Sequence, residues 1–163
     1  MTQTLEEMVG NLLRARHLTL ALAESCTGGL IGDRVTNVPG SSEYFLGSVV
    51  AYAYEAKVAL LGVSWDTLNK YGAVSRAAVL EMARGVKRAL SSDIAISVSG
   101  IAGPGGGTPE KPVGTTWIAL IARDGEWARQ FHFSGNRIQN KLSAAEAALQ
   151  MLLDYLQNRI TES

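Results

Sequence analysis

This chain of 163 residues has only one cysteine and two histidines, and its formal net charge is zero. Cys26 is the only cysteine, so no disulfide can form within the chain, and the sequence is compatible with a reducing compartment. The 15 basic and 15 acidic side chains cancel. A neutral protein gains little from counterion release on nucleic acid, so we expect no nucleic-acid partner. The basic cluster of Arg84, Lys87 and Arg88 has the spacing of a solvated helix face.

The sequence also lacks the residue spacing of a metal site, an apolar run of membrane-span length and the pattern of a secretory signal. The two histidines, His17 and His132, lie far from each other and from Cys26, without the spacing of a metal site. No apolar run reaches the length of a membrane span. Residues 1–8 lack the basic and apolar regions of a secretory signal. We therefore expect no metal, no cofactor and no membrane partner and, by default, a cytoplasmic location.

The residues that are abundant follow the pattern of a globular α/β protein. Hydrophobic residues make up 47% of the chain, and its length suits one domain with a sizeable core, which we expect to span residues 1–163. Apolar residues at helical or alternating spacing predict the elements. Helices are expected over 3–16, 30–35, 55–61, 75–90 and 142–160, and strands over 18–23, 45–52, 94–99, 115–122 and 127–133.

The order of these elements predicts the fold class. Helices and strands alternate along most of the chain, and Asp124-Gly125 is a two-residue hairpin signal between the last two strands. Alternation of this kind indicates a three-layer α/β/α sandwich with a mixed sheet, mostly parallel with one antiparallel strand. Ser75 is expected to cap the helix over 75–90.

Ser25 is the first candidate for chemistry, because it lies between a predicted buried strand and a helix expected to begin near Thr27 or Gly28. Free amide groups at a helix start can stabilise an oxyanion formed when a serine attacks a carbonyl. Gly28 and Gly29 allow the backbone to approach a ligand closely. The local pattern alone favours a simpler interpretation, in which Ser25 and Thr27 are helix caps.

A nucleophilic serine needs a base, and neither histidine is placed beside Ser25 by the pattern. His17 is expected at the end of the first helix, and His132 on an outer strand face. A desolvated lysine can act instead when its pKa falls toward neutrality. Tyr52 at a strand end and Lys57 in the following helix are the best candidates, although a surface lysine is the commoner outcome.

A glycine-rich segment over residues 100–114 is the third feature. It follows a strand, so its amides open at a sheet edge, where α/β proteins bind ligands, and glycine runs there can form anion-binding nests. The segment has neither the Walker pattern nor the dinucleotide-binding glycine pattern. Pro104, Pro109 and Pro112 stiffen it, which favours an ordered loop over a flexible one.

Several motifs together resemble the CinA carboxy-terminal domain family over nearly the whole chain. They are Ala23-Glu24-Ser25-Cys26-Thr27-Gly28-Gly29, residues 52–57, Gly72-Ala73-Val74-Ser75, Gly100-Ile101-Ala102-Gly103-Pro104 and Lys111-Pro112-Val113-Gly114. The resemblance implies a three-layer α/β/α sandwich with a mixed five-stranded sheet. It also implies a nicotinamide-nucleotide amidohydrolase, which converts nicotinamide mononucleotide to nicotinate mononucleotide and ammonia. Carried onto this chain, the family's serine nucleophile is Ser25, its tyrosine is Tyr52 and its lysine is Lys57.

The resemblance implies a mechanism without a metal. Lys57 takes the proton from Ser25, the serine oxygen attacks the carboxamide carbon, and Tyr52 helps to return the proton to the leaving ammonia. The residues expected at the oxyanion are Cys26, Thr27, Gly28 and Gly29. The phosphate is expected at the amides of the 100–107 loop, which include Gly103, Gly105 and Gly106, at the Gly28-Gly29 helix start, or at both, with Arg137 as a side-chain partner. The nucleotide is the expected partner, and a homo-oligomer is left open.

Four positions depart from the family's pattern: Tyr54 replaces an asparagine, Gly105 and Asn136 each replace an aspartate, and Lys141 replaces an arginine. These changes leave the nucleophile and the base in place while the surroundings differ. The alternative function is therefore a catalytically impaired paralogue that binds a pyridine nucleotide without turning it over. A third class, a DNA-associated protein, is suggested only by the family's competence-related name, and the neutral charge argues against it.

Overall fold

The computed structural model describes residues 2–162, so Met1 and Ser163 of the expected domain lie outside the described residues. Residues 2–162 form six helices and five strands, with a short 3-10 turn at Ser41–Glu43. The helices are α1 (Leu5–Ala15), α2 (Leu30–Thr36), α3 (Tyr54–Leu61), α4 (Trp65–Tyr71), α5 (Arg76–Leu90) and α6 (Arg137–Leu156). The strands are β1 (Leu20–Glu24), β2 (Phe45–Val50), β3 (Ile94–Gly100), β4 (Thr115–Ala122) and β5 (Gly125–His132). Among the helices between residues 2 and 162, none has the length and apolarity to cross a bilayer.

The five strands form one mixed sheet in the order β2-β1-β3-β4-β5. Strand β1 pairs in parallel with both β2 and β3, whereas β4 is antiparallel to β3 and β5 is antiparallel to β4. Only β4 therefore runs against the common direction. The predicted fold class, a mixed and mostly parallel five-stranded sheet, is confirmed.

The sheet is covered on both faces, which gives the three layers. Helices α1, α2 and α6 pack on one face over a core that includes Leu22, Ile96 and Leu149. Helices α3, α4 and α5 pack on the other face over a core that includes Ala23, Ala95 and Val79. Since side chains alternate along a strand, Ala21, Ala23 and Ser25 are on the α3–α5 side of β1. Glu24 lies on the other side, toward α2.

Two of the helices that border the candidate site begin with side-chain caps. Ser75 accepts a hydrogen bond from the Ala78 amide at 3.2 Å, so the predicted cap of α5 is confirmed. At the start of α6, Asn136 Oδ1 accepts from the Gln139 amide at 2.9 Å, and Gln139 Oε1 accepts from the Asn136 amide at 2.9 Å. This reciprocal capping box fixes where α6 starts and places Arg137 in its first turn.

Several predicted boundaries are wrong, each for a local reason. Helix α2 begins at Leu30, as in the expected range 30–35, and not near Thr27 or Gly28, because Gly28 and Gly29 have φ of +61° and +103°, which no helix interior accommodates. Helix α6 begins at Arg137 instead of Leu142 and ends at Leu156, before the predicted Ile160. The two residues between β4 and β5 are Arg123 and Asp124, so the hairpin turn is one residue earlier than predicted. Helix α4 was not predicted at all.

Gly85 allows α5 to pack against the end of α3, which carries Lys57. A Cβ at this position would lie 1.7 Å from the Leu61 carbonyl oxygen. Glycine to alanine in a helix interior normally stabilises by up to about 1 kcal/mol. Here the clash should reverse the sign, and we expect Gly85→Ala to destabilise the protein by about 2 kcal/mol or more, measured by urea unfolding. Gly105→Ala is the matched control, because its Cβ would meet no atom within 4 Å. Equal unfolding midpoints for both variants would contradict this packing.

Candidate active site

Ser25 immediately follows the last residue of β1, in the middle of the sheet. Its amide donates a hydrogen bond to the Val98 carbonyl of β3 at 3.1 Å, so the backbone of Ser25 is held by the neighbouring strand. The side chain is buried, and it lies on the α3–α5 face of the sheet. The expected interpretation as a helix cap is wrong, because α2 starts five residues later at Leu30, after Gly29, with no side-chain cap.

Lys57 reaches Ser25 from helix α3. Its Nζ lies 2.9 Å from Ser25 Oγ, 2.9 Å from the Ala51 carbonyl oxygen and 2.8 Å from the Tyr52 carbonyl oxygen. The side chain is only 1% exposed, although it belongs to a helix whose neighbouring residues Glu55 and Leu60 face solvent. The structure therefore brings the predicted serine and lysine into hydrogen-bond contact in a buried location.

The environment of Lys57 increases the fraction of the side chain that is present as the neutral amine. Desolvation by burial lowers the pKa of Lys57 to about 8, from an ordinary value of 10.5. A neutral amine has two N–H groups and one lone pair. The carbonyls of Ala51 and Tyr52 can accept both N–H groups, so the lone pair is directed to the Ser25 hydroxyl. In this state Ser25 donates its proton to Nζ, which is the arrangement that a serine nucleophile and a lysine base require.

The turn that follows Ser25 presents backbone amides. The Gly28 amide donates to the Ser25 carbonyl at 3.1 Å, and the Leu30 amide donates to the Thr27 carbonyl at 3.1 Å. Within residues 2–162, no hydrogen bond to another residue engages the amides of Cys26, Thr27 and Gly29. The amides of Ile31 and Gly32 in α2, by contrast, already donate to the buried Glu24 carboxylate. Cys26, Thr27 and Gly29 are thus the donors of this turn that remain available for an oxyanion.

Tyr52 is placed differently from its expected role. Its side chain is 62% exposed, and its hydroxyl accepts a hydrogen bond from Arg137 Nη2 at 3.2 Å. Only the backbone carbonyl of Tyr52 contacts Lys57. Arg137 also donates from Nη1 to the Gly103 carbonyl at 2.6 Å. Arg137 therefore connects Tyr52 with the glycine-rich segment across the entrance to the site.

The glycine-rich segment is an ordered loop held at both ends. At one end, Asn140 Nδ2 of α6 donates to the Ala102 carbonyl at 3.0 Å, next to the contact between Arg137 and Gly103. At the other end, Lys111 Nζ donates to the Tyr71 carbonyl at 2.5 Å. Between these anchors Gly105 and Gly106 are exposed, and nothing lies within 4 Å of the position of a Gly105 Cβ.

The first turns of α6 border both the loop and the serine turn. Lys141 Nζ lies 3.9 Å from the position that a Cβ on Gly28 would occupy. Arg137, one turn earlier, contacts the loop. Arg137 and Lys141 therefore place two cations beside the segments that carry the exposed glycines of the loop and the free amides of the serine turn. Such a set of donors is suited to a substrate that carries an anionic group.

Cys26, next to Ser25, is not an alternative nucleophile. Its side chain is buried, and desolvation raises the pKa of the thiol to about 11. A thiol with this pKa remains protonated near neutral pH, and the protonated form is a poor nucleophile. Any contribution of Cys26 to the site therefore comes from its backbone.

Two residues near the site were not selected from the sequence. Ser99 is 1% exposed and lies beside Ser25, because Glu24 of β1 is in register with Val98 of β3. The alternation of Ser97 and Ser99 with Ile96 and Val98 was the available signal. Asn140 anchors the loop through Ala102 and accepts from the Gly135 amide at 3.0 Å. In the part of the chain that is described, no three His, Cys, Asp or Glu residues are grouped as metal ligands.

The motifs around this site can be compared with those of known proteins. The model of the CinA C-terminal domain matches residues 2–156. The chain belongs to the CinA C-terminal domain family. A CinA-like protein of Chlorobaculum tepidum is 54% identical over 155 residues, which cover 92% of this chain and 37% of the relative. The chain spans between 36% and 38% of the length of the curated relatives that it matches.

Solved structures of CinA-family proteins have the same fold. The competence damage-inducible protein A of Klebsiella pneumoniae superposes with a TM-score of 0.91 at 36% identity, covering 94% of this chain and 95% of that one. The competence/damage inducible protein CihA of Agrobacterium tumefaciens gives a TM-score of 0.89 at 37% identity, with 96% and 99% covered. The family and the fold expected from the sequence motifs are thus both confirmed.

Within residues 2–162, none of the four positions expected to depart from the family's pattern is hydrogen-bonded to Ser25 or Lys57. Tyr54 is the first residue of α3, and its hydroxyl accepts from the Ala73 amide at 3.3 Å. Asn136 caps α6, as an aspartate would. Gly105 lies on the exposed part of the loop, and Lys141 reaches toward Gly28. In this CinA-family chain the contact between Lys57 and Ser25 is therefore formed without these four residues.

Proposed function

We propose that this CinA-family chain is an amidohydrolase that deamidates nicotinamide mononucleotide to nicotinate mononucleotide, with Ser25 as nucleophile and Lys57 as base. The observation that carries the proposal is the 2.9 Å contact between Lys57 Nζ and Ser25 Oγ in a buried setting. A lysine without a carboxylate partner is seldom buried, because desolvation of its charge is costly. A desolvated lysine beside a serine hydroxyl serves as a base for acyl transfer.

The first half of the reaction uses three groups of the site. Lys57 takes the Ser25 proton while the serine oxygen bonds to the carboxamide carbon. The amides of Thr27 and Gly29 stabilise the negative charge that develops on the carboxamide oxygen. The carbon–nitrogen bond then breaks, and Lys57 returns its proton to the leaving ammonia. The nicotinate mononucleotide is left as an ester on Ser25.

The second half regenerates the serine. Lys57 takes a proton from a water molecule, whose oxygen attacks the ester carbon in the same orientation. The carbon–oxygen bond to Ser25 breaks, and Lys57 gives its proton back to the serine oxygen.

Arg137 donates hydrogen bonds to the carbonyl of Gly103, 34 residues earlier in the chain, and to the hydroxyl of Tyr52. We assign it, with the loop amides of Gly105 and Gly106, to the substrate phosphate.

The proposal is tested by ammonia release from nicotinamide mononucleotide with a chelator present throughout. Wild type and Tyr52→Phe should both release ammonia, because the backbone carbonyl of Tyr52 holds Lys57 in either protein. Free nicotinamide should be a poor substrate, since it lacks the phosphate. Loss of wild-type activity in the chelator would show that a metal takes part and would contradict the proposed chemistry.

The alternative is a paralogue that binds a pyridine nucleotide without turning it over. The exchange of the family's arginine for Lys141, close to Gly28, is the observation that favours it, because lysine lacks the planar fork that binds phosphate with two parallel hydrogen bonds. Calorimetry that detects binding of nicotinamide mononucleotide, together with no ammonia release, would establish this function instead.

Arg137→Ala is expected to raise KM for nicotinamide mononucleotide by about tenfold to a hundredfold, because a charge-assisted hydrogen bond to the phosphate is lost. The turnover number should change less, since Arg137 does not contact Ser25 or Lys57. Arg76→Ala is the control, because Arg76 is an exposed arginine paired with Glu162, away from the loop. An unchanged KM in Arg137→Ala would remove this arginine from the substrate site.

A further inference from the structure

Glu24 is a fully buried carboxylate that the proposed reaction does not use. Its side chain is 0% exposed, and within residues 2–162 no salt bridge involves it. A buried carboxylate without a cation is tolerated only when hydrogen bonds replace its hydration. Four donors satisfy it here, two for each oxygen, so the whole acceptor capacity of the carboxylate is committed.

The four donors come from the three segments that surround Ser25. Thr27 Oγ1 donates to Oε1 at 2.7 Å from within the serine turn. The amides of Ile31 and Gly32 donate from the first turn of α2 at 2.9 and 3.1 Å. Ser48 Oγ donates to Oε2 at 2.6 Å from β2. One carboxylate thus fixes both ends of the segment that carries the free amides of Thr27 and Gly29.

The backbone of Glu24 is connected to Lys57 through Ala51. The Ala51 amide donates to the Glu24 carbonyl at 2.9 Å, and the Ala51 carbonyl accepts from Lys57 Nζ at 2.9 Å. Glu24 is therefore linked through its side chain to the oxyanion donors and through its backbone to the base. Ser25, the next residue, lies between these two sets of contacts.

From this geometry we infer that Glu24 is a positioning residue, which aims the free amides of the serine turn at the oxyanion through its contact with Thr27. The inference rests on the proposed use of Ser25 as a nucleophile, but not on the identity of the substrate. Glu24 touches neither substrate nor reacting atoms, and it acts through Thr27 and the start of α2. Such preorganised donors contribute to the rate only when their direction is fixed before the reaction.

The test uses a fluorophosphonate, which reacts with activated serines whatever their natural substrate. The Ser25 oxygen bonds to phosphorus, fluoride leaves, the serine proton passes to Lys57, and the phosphoryl oxygen occupies the oxyanion position. Labelling of Ser25 is followed by mass spectrometry of the whole protein and of its peptides, for wild type, Glu24→Gln and Thr27→Val. Glutamine keeps the shape of Glu24 but loses one acceptor oxygen, and valine keeps the shape of Thr27 but loses the donor.

Both variants are expected to lower the labelling rate constant by about tenfold or more, because the free amides of the serine turn are no longer held toward the oxyanion. Thr36→Val is the matched control, because Thr36 lies in the same helix α2 and bonds only to the carbonyls of Gly32 and Asp33. It should label at the wild-type rate. The pH at which labelling is half-maximal should be the same in all four proteins, because Lys57 and its contacts are unchanged.

Three results would overturn the inference. The first is labelling of Thr27→Val at the rate of Thr36→Val, even if its thermal midpoint is lower, since Glu24 would then serve stability alone. The second is a shifted pH midpoint in Glu24→Gln, which would mean that the carboxylate acts on Lys57 by charge. The third is a wild-type protein whose Ser25 is not labelled. Labelling as expected with no turnover of nicotinamide mononucleotide would support the inference and reject only the proposed substrate.

Discussion

Lys57→Met is expected to lower kcat/KM for nicotinamide mononucleotide by about a thousandfold or more. Methionine keeps much of the lysine's length and apolar contact in the buried space, but it cannot accept the Ser25 proton. A positioned general base contributes about 10²- to 10⁴-fold, and this lysine also delivers the proton to the leaving ammonia. The measurement is the rate of ammonia release under conditions of low substrate.

The pH dependence of wild type follows from the same residue. Burial lowers the pKa of Lys57 to about 8, and only the neutral amine can act as base. Below this pKa the fraction of neutral lysine falls tenfold for each pH unit, so kcat/KM should rise with pH and level off above about 8. The residual activity of Lys57→Met should lack this rise.

Lys70→Met is the control for the lysine variant, since Lys70 is an exposed lysine of α4 that lies over the Tyr71 ring. It should keep both the wild-type rate and the wild-type pH profile. Wild-type activity in Lys57→Met, or a wild-type profile that stays flat between pH 6 and 9, would contradict the assignment of Lys57 as base.

Ser25→Ala is expected to lower kcat by about 10⁴- to 10⁶-fold, as in serine hydrolases whose nucleophile is removed. The alanine variant keeps the amides of Thr27 and Gly29 and the lysine, so it should still bind the nucleotide with nearly unchanged affinity. Stopped assays for ammonia and calorimetry of nucleotide binding measure the two effects separately.

Cys26→Ala is the matched control for the serine variant, because it removes the neighbouring side chain and leaves the backbone amide in place. The thiol, whose pKa burial raises to about 11, is not expected to react, so activity should remain within a few-fold of wild type. Full activity in Ser25→Ala with loss of activity in Cys26→Ala would mean that the thiol is the nucleophile.

The strands are predicted well because the alternation of their apolar positions can be read from each strand's own residues. Residues 94–99 are an example, since the apolar positions Ile94, Ile96 and Val98 all face one helical layer. Helix α4 was missed because it is short and buries only Leu68, although Ser64 accepts from the Thr67 amide as a regular cap. The start of α6 was missed for a related reason. Ile138 in its first turn is 62% exposed, so the apolar period begins only later.

The candidate site is predicted less completely, because its chemistry depends on contacts between distant segments. Nothing in residues 54–61 distinguishes Lys57 from a surface lysine. Its burial results from the packing of α3 beside the carboxyl end of β1, 32 residues earlier in the chain. The local pattern made this lysine the best candidate but still favoured a surface position, and the resemblance to the CinA family decided for the base.

Tyr52 and Glu24 also have roles that depend on contacts between distant segments. Tyr52 was chosen for its hydroxyl, whereas the structure uses its carbonyl to hold Lys57 and turns the hydroxyl to Arg137. Glu24 was passed over, because a glutamate at a strand end is usually solvated. Its full burial becomes visible only when the turn, α2 and β2 converge on it.

The central claim, that a neutral buried lysine activates Ser25, is tested most directly by the pKa of Lys57 itself. Nuclear magnetic resonance of protein labelled with ¹³C at the lysine Cε, with the Lys57 signal assigned by its absence in Lys57→Met, follows this titration without any substrate. We expect Lys57 to titrate with a pKa of about 8. A Lys57 signal that titrates near 10.5, the ordinary value of a lysine, would contradict the account.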